Sequence, residues 1–295
     1  MRIYLDCIPC FIRQSLDAAR HATQDQRTHE RVVREVLRLA SNLDMSQSPP
    51  KIAQQIHRLV REQTGIEDPY LKVKKQFNNA SLELYSKIRH LIIESKDPLE
   101  TAVRLAIAGN IIDLGVKSQL QETDLAETIN QCLSDEIADM QLDAFRNAVN
   151  DAREILYITD NAGEIVFDRL LIEQLPIEKV TVAVKGSPVI NDATMEDAII
   201  AGLPRIVEVI DNGSDAPGTV LESCSQNFRN RFEKADMVIS KGQGNYETLS
   251  EVDKNIFFIL KAKCSVIARD IGCEVGQMIF EKTKAFNGEK ENARI

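Results

Sequence analysis

The sequence has no basic run and no surplus of basic residues. Its formal net charge is -9 and its isoelectric point is near 5.2, which argues against a nucleic-acid or anionic-membrane partner. No apolar stretch approaches the ~20 residues needed to cross a bilayer. The start, Met1-Arg2-Ile3-Tyr4-Leu5-Asp6, turns acidic too early for a secretory signal, so a cytoplasmic protein is expected. Six cysteines in 295 residues are too few for a disulfide scaffold, leaving thiols, metal ligation or redox chemistry. The four histidines, His21, His29, His57 and His90, fall at no ligand spacing, which disfavours a His-based metal site or triad. Neither a P-loop nor a G-x-G-x-x-G fingerprint is present, and the NAD-binding reading is correspondingly weak.

What is present is an ordinary globular composition, 43% hydrophobic and 27% charged, enough for one large or two modest domains. Helical spacing recurs through the first part, at 11–21, 28–40, 52–64 with a stop at Gly65, 70–95, 102–108, 125–133 and 142–150. The segment Gly109-Asn110-Ile111-Ile112-Asp113 reads as a helix end followed by a turn. From about residue 152 short β runs alternate with helical patterns, with strands expected at 155–159, 179–184, 205–209, 237–240, 256–261 and 265–268. The expected fold is therefore a helical domain, 1–150, followed by an α/β domain, 151–295, with a mainly parallel sheet covered on both faces. Residues 287–295 read as a charged tail.

Four turns that follow strands carry unusual polar content. They are Asp160-Asn161-Ala162-Gly163-Glu164, the stretch from Lys185 to Thr194, Asp211-Asn212-Gly213-Ser214, and Lys241-Gly242-Gln243-Gly244-Asn245-Tyr246-Glu247. If the strands are parallel, all four share one rim, where open α/β sheets bind ligands. Asp160, Asn161 and Asp192 offer two carboxylates and an amide carbonyl, hard oxygen ligands suited to Mg²⁺ or Mn²⁺. A divalent ion there lowers the pKa of bound water and polarises a phosphoryl oxygen. Lys185 and Lys241 supply charge for a phosphate, and the glycines let backbone N–H groups approach it. The competing explanation of Asp160 or Asn161 is a helix cap, and that of Lys241 to Asn245 a flexible loop.

These residues resemble the damage-control metal-dependent phosphatases, the domain of unknown function 89 family. The likeness rests on Asp160 to Glu164, on the Lys-Gly-x-Pro-x-x-Asn-Asp turn of Lys185 to Asp192, and on Lys241 to Glu247. It extends to Gly109 to Asp113 and to Cys7-Ile8-Pro9-Cys10, which is similar to the pair in a mostly prokaryotic subgroup. The resemblance implies a Rossmann-like α/β/α sandwich behind a helical domain, and a divalent ion (Mn²⁺, Ni²⁺, Co²⁺ or Mg²⁺) held by Asp160, Asn161 and Asp192. It also implies hydrolysis of phosphate monoesters on small metabolites such as sugar phosphates, nucleotides or damaged phosphometabolites. Asp160, Asp192, Glu164 and Lys241 are then the catalytic candidates. Lys185, Gly242, Gln243, Gly244, Asn245, Asn110 and Asp113 are the candidates for binding phosphate or substrate. Glu164 has two readings, water orientation or acid/base chemistry and a partner of the helix dipole; Asn110 and Asp113 have a capping explanation.

For Cys7 and Cys10, packing at a helix start stands beside a zinc or redox site, which needs a second pair such as Cys264 and Cys273. Two other function classes share the architecture, an S-adenosylmethionine-dependent carboxyl methyltransferase and a non-catalytic metabolite-binding protein. Fold alone does not choose among them.

Overall fold

The computed structural model describes residues 1–117, 132–134, 137 and 141–284, with 110–117 described by their helical backbone alone. The first part is helical: α1 (Cys7–Ala22), α2 (Gln26–Ala40), α3 (Pro49–Thr64), α4 (Leu71–Glu94), α5 (Pro98–Lys117) and α6 (Leu142–Asp151). There follow β1 (Ile155–Ile158), α7 (Glu164–Ile172), β2 (Val180–Val184), α8 (Met195–Ile200), β3 (Glu208–Asp211), α9 (Gln226–Lys234), β4 (Met237–Lys241), α10 (Gln243–Leu249), β5 (Ile256–Lys261), α11 (Ser265–Ile271) and β6 (Met278–Lys282).

The six strands form one sheet in the order β3-β2-β1-β4-β5-β6. Strands β1 to β5 run parallel and β6 is antiparallel to β5. Every residue of β1 and β4 is buried, as expected of central parallel strands covered on both faces; the apolar runs Ile155–Ile158 and Met237-Val238-Ile239 are what made them readable. The architecture is the Rossmann-like α/β type, and the strand order reverses direction between β1 and β4. That reversal opens a crevice at the carboxyl ends of those two strands, the place where ligands bind in this topology.

One apolar cluster covers the first face of the sheet and joins Ile88, Val103, Ile107 and Phe145 of the helices to Ile165, Phe167, Val182, Ile239, Phe257 and Phe280. A second, on the other face, packs Phe228, Leu249 and Ile267 against Leu156, Val238 and Phe258. A third lies within α1 to α3 and includes Phe11, Val32, Val36, Ile52, Ile56 and Val60.

Several expectations need correction. Helix α5 does not end at Gly109 but runs on to Lys117. Gly109 is there for closeness: a Cβ would lie 3.2 Å from Glu164 Cγ and 3.3 Å from Phe167 Cβ, so its absence lets α5 settle on α7. Residues 265–268 are not a strand but open α11, which is capped at its far end by left-handed Gly272. Four apolar residues in a row do not distinguish a strand from a buried helical turn. The strand expected at 205–209 lies at Glu208–Asp211, behind a 3-10 turn at Leu203–Arg205, and β6 was not anticipated. The helix expected at 125–133 and the tail at 287–295 lie outside the described residues, apart from 132–133.

Candidate active site

The turn after β1 and the turn after β2 pair with each other. Ala193 N–H donates to the Asp160 carbonyl at 2.7 Å and Ala162 N–H to the Asn191 carbonyl at 2.8 Å, making an antiparallel bridge between Asn161 and Asp192. Two acids 32 positions apart in sequence are thereby brought onto one short ladder. The turn after β4 closes from the other side of the crevice. At Gly242, with φ +81°, a Cβ would lie 2.0 Å from Asp160 Oδ2, so only glycine lets that backbone reach the carboxylate.

Burial decides the electrostatics. Asp160, Glu164 and Asp192 are 8%, 1% and 4% exposed, three carboxylates largely removed from water. Desolvation raises the Asp160 carboxyl well above the usual range, and the charges of Glu164 and Asp192 add to it; Lys263 and Lys185 oppose the rise. Asp192 is also raised by desolvation, with Lys185 as the main opposing charge. Asn161 Nδ2 donates to Asp160 Oδ2 at 2.8 Å and to Glu164 Oε2 at 3.0 Å, so its amide faces both acids. Asp192 Oδ2 is buried without a hydrogen-bond partner; Lys185 Nζ stands 3.4 Å away and donates to the Gly218 carbonyl. A buried carboxylate is costly unless opposite charge meets it, and for Asp192 the Lys185 ammonium supplies that charge.

Lys241 is not where a phosphate contact was expected. It is fully buried behind the acids and donates to the Ala106 carbonyl at 2.9 Å, to Glu164 Oε1 at 2.6 Å and to Asp168 Oδ1. An ammonium has three N–H bonds, and all three are used. Burial would lower its pKa, but the Asp168 and Glu164 charges outweigh that and hold it above its ordinary value. Asp168, which sequence reasoning missed, is raised to about 6 by desolvation against the pull of Lys241, and Tyr157 OH donates to it at 2.9 Å. The available signal was spacing: Glu164 and Asp168 are four apart on a mostly apolar helix and so share a face.

Asn245 is likewise structural in its side chain. Its Nδ2 donates to the carbonyls of Thr159 and Lys241 at 3.1 and 2.7 Å, and its Oδ1 accepts from Thr219, tying the ends of β1 and β4 together. Gly242 N–H donates to the Ile259 carbonyl. Gln243 and Gly244 begin α10, with Gly244 against the backbone of Gly218 and Gln243 Nε2 donating to Glu247 Oε1. The side chains of Asn110 and Asp113 lie outside the described residues. Lys263, also missed, acts electrostatically on both Asp160 and Asp192. It sits in a fifth rim turn after β5, hidden from the sequence by the reading of 265–268 as a strand.

The helices brace these turns. Gly163 N–H donates to Asn78 Oδ1 at 2.7 Å, and Asn78 Nδ2 donates to Asp197 Oδ1 at 2.8 Å. Asp197 caps α8 through Thr194 and meets buried Lys74 at 3.2 Å. Asn78 of α4 thus connects the segments carrying Asp160 and Asp192 through one amide.

Glu247 makes a separate, testable point. Desolvation pushes its carboxyl up to about 7 against the Gln243 hydrogen bond and the N-terminal ammonium. The ordinary value is 4.5, so the folded state holds this proton more tightly than the unfolded one. The group therefore costs nothing below its unfolded pKa, and stability is lost as pH rises through its folded pKa. Glu247→Gln is expected to match the parent near pH 4.5 and to exceed it near pH ~8 by on the order of 2 kcal/mol, read from urea unfolding at both pH values. A pH-independent difference would refute this.

None of the six cysteines is in a disulfide. Among the described residues no three Cys, His, Asp or Glu side chains are gathered closely enough to hold a metal, although Glu247, Cys264 and Cys10 act electrostatically on Cys7. The Cys7 thiol is raised by burial, which leaves it less reactive. No helix among the described residues is long and apolar enough to cross a membrane.

Fold and rim together define an α/β enzyme whose buried acids gather at a topological switch point. The model of the damage-control phosphatase ARMT1-like domain matches residues 3–279. A damage-control phosphatase of Archaeoglobus fulgidus is 34% identical over 285 residues, covering 95% of this chain and 98% of that protein. An uncharacterised protein of Methanocaldococcus jannaschii is 37% identical over 296 residues, covering 96% of each. The crystal structure of a DUF89 family protein from Pyrococcus horikoshii superposes with a TM-score of 0.87 at 35% identity, covering 96% of this chain and all of that one. The chain belongs to the ARMT1-like damage-control phosphatase family, and it is a phosphatase.

Proposed function

We propose that this phosphatase is metal-dependent and hydrolyses phosphate monoesters of small metabolites, with Asp160, Asn161 and Asp192 holding Mg²⁺, Mn²⁺, Co²⁺ or Ni²⁺. The observation that carries this reading is the burial of Asp160, Glu164 and Asp192 together at one edge of the sheet, where desolvation and the charges of Glu164 and Asp192 oppose ionisation of Asp160. Two carboxylates and an amide oxygen fit a hard divalent ion, which would relieve that excess of negative charge. When bound, the ion supplies Lewis-acid polarisation of a phosphoryl oxygen and a more acidic water.

The chain's own residues do the rest. Lys185 orients Asp192 and, with Lys263, places positive charge toward an incoming phosphate. Backbone N–H groups of Gln243, Gly244 and Asn245 are the candidate neutral donors at the same edge. Glu164, fixed by Lys241 and by Asn161 Nδ2, is positioned to orient water or take its proton. Lys241 acts through Glu164 and is a positioning residue. Asn110 and Asp113 are retained as candidate substrate contacts from α5.

Release of phosphate from an aryl phosphate is expected to require added Mn²⁺, Co²⁺ or Ni²⁺, to vanish in chelator and to return on adding metal back. Full turnover after exhaustive chelation and dialysis would overturn the metal-dependent reading.

A further inference from the structure

Ile190 is the one non-glycine residue among those described with a positive φ, at 46°. A β-branched side chain fits this region poorly because its Cβ crowds the neighbouring carbonyl. Ile190 is the second residue of a reverse turn closed by Asp192 N–H donating to the Val189 carbonyl at 3.1 Å, a position that glycine fills when φ is positive. The fourth residue of that turn is Asp192 itself. Such strain persists only where the surroundings over-determine it.

Two contacts from the amino-terminal helices do so. The Ile190 side chain packs against the cluster formed by Phe11, Ile52, Ile56 and Val60, the one residue after β1 that joins it among those described. Beside it, Arg61 of α3 donates to the Pro188 carbonyl at 3.1 Å. Arg61 is itself fixed through Asp215, which also accepts from Gln54 and from Arg58 at 2.6 Å. On its other side the loop is tied to the Asp160 turn by the Ala162 and Ala193 hydrogen bonds.

We infer that Ile190 is a positioning residue for the metal site: the helices α1 to α3 grip its side chain, hold the turn in its left-handed conformation and so aim the Asp192 carboxylate at Asp160. This rests on the reading of Asp192 as a metal ligand. The amino-terminal helices thereby act on metal affinity without supplying a ligand. Their point of action is one aliphatic side chain two residues from the acid.

The test is calorimetric titration of Mn²⁺ into metal-free parent, Ile190→Gly, Ile190→Val and Asp192→Asn, with melting curves in chelator. Ile190→Gly accepts the backbone conformation but loses the grip, and is expected to bind Mn²⁺ about 10- to 100-fold more weakly while melting close to the parent. Ile190→Val keeps the contact and is expected to retain parental affinity. Parental Mn²⁺ affinity in Ile190→Gly, with weakened binding in Asp192→Asn, overturns the positioning role alone. Unchanged binding in Asp192→Asn as well overturns the metal reading with it. Should Ile190→Gly fail to fold, Ile190→Ala is judged by the same affinity criterion.

Discussion

Asp160→Asn is expected to abolish metal-dependent phosphate release while raising the melting temperature of the metal-free protein. The two effects have one origin. Asp160 is held among carboxylates and away from water, so its ionised form is opposed by burial first and by Glu164 and Asp192 next. Asn keeps an oxygen at the same place, in reach of the Asn161 amide that now donates to Oδ2, and removes the charge. Without metal, that relieves like-charge repulsion and desolvation, on the order of 1–2 kcal/mol, or a few degrees for a protein of this size. With metal, the loss of an anionic ligand is expected to lower turnover by on the order of a thousandfold. Initial rates at saturating Mn²⁺ and melting curves in chelator measure the two separately. Normal turnover would remove Asp160 from the ligand set, and a lowered metal-free melting temperature would contradict the charge argument.

Lys241→Met is expected to cost more stability than any exposed substitution, about 3–5 kcal/mol. The side chain is fully buried with Glu164 and Asp168 on one ammonium. Removing it leaves two carboxylates without a counter-charge in an apolar interior formed by α5, α7 and β4. Methionine fills much the same volume, so the loss reports charge rather than a cavity. The triple variant Lys241→Met, Glu164→Gln, Asp168→Asn is expected to recover most of the stability and none of the activity. Urea unfolding provides both numbers; a single variant as stable as the parent would show that Lys241 does not neutralise the pair.

The strands at β1, β2, β4 and β5 and the polar turns after them were legible because apolar runs ending in Asp, Asn, Lys and Gly leave few other readings. Parallel pairing then placed those turns on one rim, as expected. What the sequence withheld was depth. Lys241 and Lys185 look alike in sequence and both are buried, yet Lys241 pairs with Glu164 and Asp168 beneath the acids while Lys185 meets Asp192 itself. Gly109-Asn110 carries the signal of a turn, and only the packing of α5 on Glu164 and Phe167 shows why a glycine lies inside a helix. Ser265 to Ala268 was ambiguous on periodicity, and that misreading concealed Lys263. The backbone strain at Ile190 has no sequence signal, because Ile argues against the conformation it adopts.

The ion cluster around Lys241 also bears on how a chain matures. The lysine meets partners 135, 77 and 73 positions earlier in sequence. During synthesis, Glu164 and Asp168 leave the ribosome well before their cation, and α7 cannot bury that face until β4 has been made. A nascent chain thus holds Glu164 and Asp168 in water, without their cation, until β4 is made. The buried ion cluster therefore closes only with the late docking of segments far apart in sequence.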